Sequence, residues 1–334
     1  MKRQRSKRVV WLVSMFLFVL CVSAPILSNH EAIAASEKVR LVMGGASTTT
    51  WVYMFSAIMV DVWKRYIPNL DITLMATSGS TANYAPMERG ELDLAVGSTH
   101  SDFWAMGGMH FAKTKHVNFY SLMPAAKAIQ HYVTYADSPI KTLKDLEGKK
   151  IALGARASPT SLLSEEIFSV LGIKANYVYS TPGEAGDMLK DRRVDAMVYN
   201  VAAPYSVFMD VATDRPIRFL DMTPEERKKA SDALPYVVNH TIPAKTYTFQ
   251  NQDNQTVTAY SDVVVKPNLP DELVYTLTKV AWEHWDEVVK ATAAAKSATA
   301  RDIVNMYPPV HPGAAKYYKE IGIQLPDRLI AKKK

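Results

Sequence analysis

The sequence predicts an α/β fold assembled from two wound, largely parallel units, and three observations lead there. Short runs rich in β-branched residues alternate with helical runs along most of the chain, the order that places crossover helices between parallel strands. A second βαβ series starts near residue 140 and repeats the architecture of the first without repeating its residues. The 334 residues are also enough for two ordinary domains at roughly 100 to 200 residues each.

The first series runs strand Val39 to Met43, helix Tyr53 to Tyr66, strand Asp71 to Met75, helix Ala82 to Arg89 and strand Leu92 to Val96. Phe55, Ile58, Met59 and Val62 recur at helical spacing and give that helix one apolar face. The second series opens at "IKTLKDLEGKKIALG", with a helical turn at Lys141 to Leu146 stopped by Gly148, then strand Lys150 to Leu153. Helix Thr160 to Leu171, strand Asn176 to Tyr179, helix Gly183 to Asp191, strand Asp195 to Tyr199 and helix Pro204 to Val211 come next. Beyond Leu234 the chain turns to β-branched and aromatic runs. Val257 to Val265 reads as a buried strand ended by Pro267 and Pro270, Glu272 to Ala291 as one long helix, and Pro312 to Ile321 as a last one.

Residues 1–34 are set aside as a secretory signal peptide. Lys2, Arg3, Arg5, Lys7 and Arg8 precede the apolar run Val9 to Val22, and Ala32, Ile33 and Ala34 supply small residues for cleavage. A retained anchor is the other reading, but that run is short against the roughly 20 residues a spanning helix needs. Lipid attachment at Cys21 is disfavoured by the bulk of Leu20 before it. Cleavage removes five basic residues and Glu31, so the formal charge of +6 falls to +2 and the basic balance argues nothing about nucleic acid. Cys21 is the single cysteine, so the mature chain is expected to hold no disulfide, thiolate nucleophile or Cys-ligated metal.

The chemistry is expected at strand ends. "GGASTTTWVY" (44 to 53) follows the first strand, "ATSGSTAN" (76 to 83) the second, "GSTHSD" (97 to 102) the third and "GARASPT" (154 to 160) the first strand of the second series. Carboxyl ends of strands face the ligand crevice in open α/β sheets, and helix N-termini there favour anions. None of the loops is a phosphate cradle, because GxGxxG and the Walker pattern are both missing. Ser98, His100, Ser101 and Asp102 contain the residue types of a triad, yet neighbours in sequence point apart and the chain holds no GxSxG. His110, His116 and His284 fit no metal-ligand spacing. Arg156, in a loop whose helix opens with Pro159, is the cation expected to meet a carboxylate. Trp51, Tyr53, Tyr199 and Tyr205 are candidate walls.

"MGGASTTTWVY", "TSGSTANYAPMERGELDLAVG", "IKTLKDLEGKKIALG" and "AYSDVVVKPNLPDELVYTLTKVAWEH" together resemble the TAXI-type solute-binding subunits of TRAP transporters, over nearly the whole mature chain. The chain departs from that pattern at Thr48, Thr49, Thr50 and Trp51, and again at Arg156, Ala157, Ser158 and Pro159, so the ligand is not carried over. The resemblance implies a two-lobed periplasmic-binding-protein fold joined by hinge strands. Lobe 1 would be residues 36–127 and 245–334, and lobe 2 residues 128–244.

The function expected on these grounds is that of an exported, monomeric, non-enzymatic periplasmic protein that closes on a small organic anion, such as an amino acid or other carboxylate. It would deliver the ligand to integral membrane TRAP subunits, without cofactor, metal or nucleic acid. The binding residues expected are Gly45, Ser47, Thr48, Trp51, Ser78, Ser80, Asn83, Ser98, His100, Arg156, Ser158, Thr160 and Asn200. A ligand-sensing adaptor for a membrane receptor, or a secreted enzyme using Ser98 or His100, is the alternative.

Overall fold

Two parallel groups of strands flank a long antiparallel pair in the structure, a computed structural model that describes residues 38–48 and 50–331. The signal-peptide reading of residues 1–34, Thr49 and the basic tail Lys332 to Lys334 lie outside the described residues. In the first group β1 (Val39–Gly44) pairs in parallel with β2 (Leu70–Met75) and with β3 (Leu94–Ser98). Helix α1 (Trp51–Tyr66) connects β1 to β2, the short α2 (Tyr84–Glu88) precedes β3, and α3 (Thr99–Gly107) leaves it directly.

The sequence dictates α1 closely. Thr50 caps it by accepting the Tyr53 N–H, Phe55, Met59, Val62 and Trp63 form its buried stripe, and Pro68 follows its end at Ile67. Strand β3 is buried along its whole length, which fits its run of Leu94, Ala95 and Val96.

The central pair is β4 (Tyr120–Tyr135) and β10 (Asn254–Val265), antiparallel to each other. On one side β10 pairs with β3; on the other β4 pairs with β7 (Ala196–Val201), again antiparallel. There the second parallel group begins, with β5 (Lys150–Leu153) between β7 and β6 (Asn176–Tyr179). The helices of this group are α4 (Pro159–Leu171), α5 (Pro182–Lys190) and α6 (Ser206–Asp214). Two short strands lie off the main path: β8 (Ile217–Phe219) on β4 and β9 (Val238–Ile242) on β10, with α7 (Pro224–Ala233) between them in sequence. The wound, parallel expectation therefore holds within each group, and the antiparallel centre joins them.

The expected long helix from Glu272 to Ala291 is two, α8 (Asp271–Glu283) and α9 (Trp285–Ala291). His284 leaves helical geometry between them, its ring stacked on Tyr66 at 3.5 Å and its Nδ1 3.0 Å from Glu287 Oε1. Helix α10 (Pro312–Glu320) packs so closely on α8 that a Cβ on Gly313 would lie 2.1 Å from the Asp271 carbonyl oxygen. Apolar burial divides along the same lines as the sheet. One cluster joins Met43, Phe55, Trp63 and Leu94 to Leu277, Ala281 and Tyr318 from the C-terminal helices. Two others are built on β5 and β7, around Ile151, Ile167 and Phe168 and around Met197, Phe208 and Tyr247.

Candidate functional site

A cavity of about 510 Å³ opens where the carboxyl ends of β1, β3 and β7 meet the centre of β4. Its volume lies within the roughly 300–1,000 Å³ of small-molecule pockets. Four helices of nine residues or more begin at it. Thr50, Trp51 and Val52 start α1, Ser98 and His100 start α3, Pro159 and Thr160 start α4, and Tyr205 precedes α6. Each first turn presents the positive end of a helix dipole, although Thr50 and Ser158 take up the Tyr53 and Ser161 N–H groups.

Seven of the expected residues line this cavity: Trp51, Ser78, Ser80, Ser98, His100, Thr160 and Asn200. The other six are not among its described lining residues. Gly45 lies between α1 and β2, where a Cβ would be 3.3 Å from the Tyr53 ring and 3.4 Å from the Met75 carbonyl oxygen. The Ser47 carbonyl accepts both the N–H and the hydroxyl of Thr50, and Thr48 is exposed at the same turn. Asn83 is fully buried and donates to the Gly45 and Val96 carbonyls, both at 3.0 Å, so it ties the ends of β1 and β3 together. Ser158 caps α4 by accepting the Ser161 N–H. Arg156 lays its guanidinium over the Tyr179 ring, 4.0 Å from the centroid. Among the wall candidates, Trp51 and Tyr205 reach the cavity, whereas the Tyr199 hydroxyl donates to the Leu153 carbonyl at 2.9 Å in the core.

The sequence reading missed Lys127, which lies at the middle of β4 and is the only Lys or Arg among the described lining residues. Its ammonium pairs with Asp302 at 3.7 Å. That carboxylate already accepts the Tyr260 hydroxyl at 2.9 Å and the Thr299 N–H and hydroxyl at 2.7 and 2.9 Å. His240 stays neutral nearby, its pKa lowered to about 4 first by burial and then by the Lys127 charge. No signal in the sequence marked this lysine, because the strand carrying it was not recognised.

The Ser98 to Asp102 segment folds as a hydroxyl chain. Ser98 Oγ donates to Ser101 Oγ at 2.8 Å and lies 3.2 Å from His100 Nε2, and Ser101 Oγ is 3.5 Å from Ser80 Oγ. Burial lowers the His100 pKa to about 3, which keeps the ring uncharged. Asp102 turns away to accept the Tyr84 hydroxyl at 2.7 Å, so it does not orient the imidazole, and His100 Nδ1 is buried without a partner. The third role that a serine triad requires is therefore unfilled by Asp102. Among the described residues no helix is long and apolar enough to cross a membrane.

The profile of the NMT1-like family matches residues 43–322. The TctC solute-binding protein from Polaromonas, solved with no ligand, is similar in structure with a TM-score of 0.53 at 15% identity, over 86% of this chain and 99% of that one. MatC from Rhodopseudomonas palustris with bound malate gives 0.50 at 14% identity, over 85% and 97%. XAC2383 from Xanthomonas citri bound to chloride ion gives 0.50 at 12% identity, over 84% and 95%. At these identities the likeness establishes a fold, the two-lobed α/β architecture of periplasmic solute-binding proteins.

Proposed function

The chain belongs to the NMT1-like family, and from that membership and the geometry of its cavity we propose that it is an extracytoplasmic solute-binding protein for a small organic anion. The observation that carries this reading is electrostatic. Four helix N-termini and Lys127 border one cavity whose described lining contains no Asp or Glu, the carboxylate facing the lysine being Asp302 outside that lining. Trp51, Ser78, Ser80, Ser98, His100, Thr160 and Asn200 are the proposed ligand contacts, with Lys127 added to them.

In this proposal β4 and β10 are the hinge strands. They run between a lobe of residues 36–127 and 245–334 and a lobe of residues 128–244, with the boundary in β4 falling beside Lys127. Closure over the ligand would present a liganded face to integral membrane subunits of TRAP type, and the loop and strand motifs that resemble the TAXI group support that partner. Capture needs a pocket and a few converging polar groups, with no bond made or broken.

Thermal-shift measurements with malate, glutamate, hexanoate and their neutral amides test the reading. An anion at 100 times its Kd adds about 2.7 kcal/mol of stability, so at least one should raise the melting temperature by several degrees. Stabilisation by the amides alone, or by none of the compounds, would overturn it.

A further inference from the structure

The lining of the cavity says more about the ligand than its sign. Resting on the solute-binding reading, we infer that the ligand is a monocarboxylate with an apolar body and no ammonium group, its carboxylate seated on Lys127. Lys127 has donors to spare, because the Asp302 carboxylate it faces is 3.7 Å away and already takes three hydrogen bonds from Tyr260 and Thr299. A lysine so placed is a point charge suited to one carboxylate.

A second carboxylate on the ligand would find no second cationic side chain among the described lining residues and would rest on helix N-termini alone. His100 is uncharged in its buried position, and the Arg156 guanidinium lies over Tyr179 outside the lining. A buried carboxylate without a cationic side chain is less fully compensated than one seated on a lysine. An ammonium fares worse, since the described lining offers it no carboxylate and four positive helix ends plus Lys127 repel it. This disfavours zwitterionic amino acids, which share their carboxylate and carbon skeleton with the acids proposed here.

The rest of the wall is built for carbon. Trp51 and Val52 on α1 line the cavity together with Val201 at the end of β7 and Ala202, Pro204 and Tyr205 after it, and Ala293 and Ala294 come from the C-terminal part. Hydroxyls of Ser80 and Thr160 are left for the carboxylate oxygens or one hydroxyl of the ligand, whereas Ser98 gives its proton to Ser101. An apolar body displaces water from such a wall at about 25 cal/mol per Å² of apolar area.

Isothermal titration of the purified protein with skeleton-matched sets tests this: hexanoate with norleucine and hexanedioate, 4-methylpentanoate with leucine, and 3-phenylpropanoate with phenylalanine. The expected result is that the tightest compound is a monocarboxylate, at least tenfold tighter than its amino acid and its diacid. Tighter binding by an amino acid or by hexanedioate would overturn the inference and leave the anion-binding reading standing. Binding by none of these acids would overturn the inference, and would overturn the anion-binding reading as well only if malate and glutamate also fail to raise the melting temperature. For the best acid, Lys127→Met should lose at least tenfold in affinity and bind the acid no better than its amide, while Lys127→Arg stays within a few-fold of the parent. Unchanged binding in a Lys127→Met protein of normal circular dichroism would remove Lys127 from the assignment.

Discussion

Asp262 on β10 and Asp102 on α3 turn their carboxyl groups onto one point above Gly97, where a Cβ would lie 2.7 Å from Asp262 Oδ1 and 2.9 Å from Asp102 Oδ1. Both side chains are completely buried, and the other titratable group facing them is Tyr84, whose hydroxyl donates to Asp102. Two carboxylates this close in a dry site cannot both ionise cheaply, so one proton is held between them. Burial pushes Asp262 up to about 7, and burial together with the Asp262 charge pushes Asp102 well above the usual carboxylate range.

A pH dependence of stability arises from that pair. A carboxyl whose pKa is raised on folding binds more protons in the folded than in the unfolded chain between about pH 4 and 7. Its folded form is therefore fully favoured below the unfolded pKa, and that contribution is lost as pH rises through about 7. Asp262→Asn removes the loss, which is on the order of a few kcal/mol at about 1.4 kcal/mol per pKa unit. Melting curves between pH 5 and 9 should converge or cross, with the variant the less pH-sensitive. Parallel curves would show that the pair does not titrate as described.

Glu166 on α4, itself half-buried, gathers a second polar node. It accepts the Trp104 indole N–H at 3.1 and 3.2 Å on its two oxygens, lies 2.8 Å from His110 Nε2, and accepts the Tyr236 hydroxyl. Trp104 is fully buried on α3, so truncating Glu166 strands its donor. Glu166→Ala should cost about 2–3 kcal/mol from lost charge-assisted hydrogen bonds, seen as a lower urea midpoint with unchanged slope. A midpoint within error of the parent would mean that water replaces the carboxylate freely.

Much of this architecture was legible, and what was not has identifiable physical causes. The parallel strands β5 and β6 fall where expected because each is a short apolar or β-branched run bounded by Gly148, Gly154 or Gly172. Strand β4 escaped because Pro124, Ala125, Ala126 and Ala128 read against a central strand. Pro124 is accommodated there because β10 shifts register at Ser261/Asp262, beside it. Missing that strand hid Lys127, the cation of the cavity. The hydroxyl loops were visible as composition, but composition does not separate hydroxyls that reach the cavity, as in Ser80 and Ser98, from those that only hold a helix start, as in Ser158.

Arg156 tests how far loop position alone predicts a ligand contact. The sequence placed it at a helix start, beside the expected crevice, and its neighbours Pro159 and Thr160 do line the cavity. Its own guanidinium stacks on Tyr179, an exposed-side contact of the kind that contributes about 0.5–1 kcal/mol. Ala157 beside it takes a left-handed backbone, φ 59°, which turns the chain between Arg156 and the Ser158 cap. Arg156→Ala should therefore lower stability slightly and leave the affinity for the best monocarboxylate within about twofold, a difference of under about 0.5 kcal/mol. A tenfold loss of affinity in titration, with the fold intact, would place the guanidinium in the closed site and restore the role its sequence position suggested.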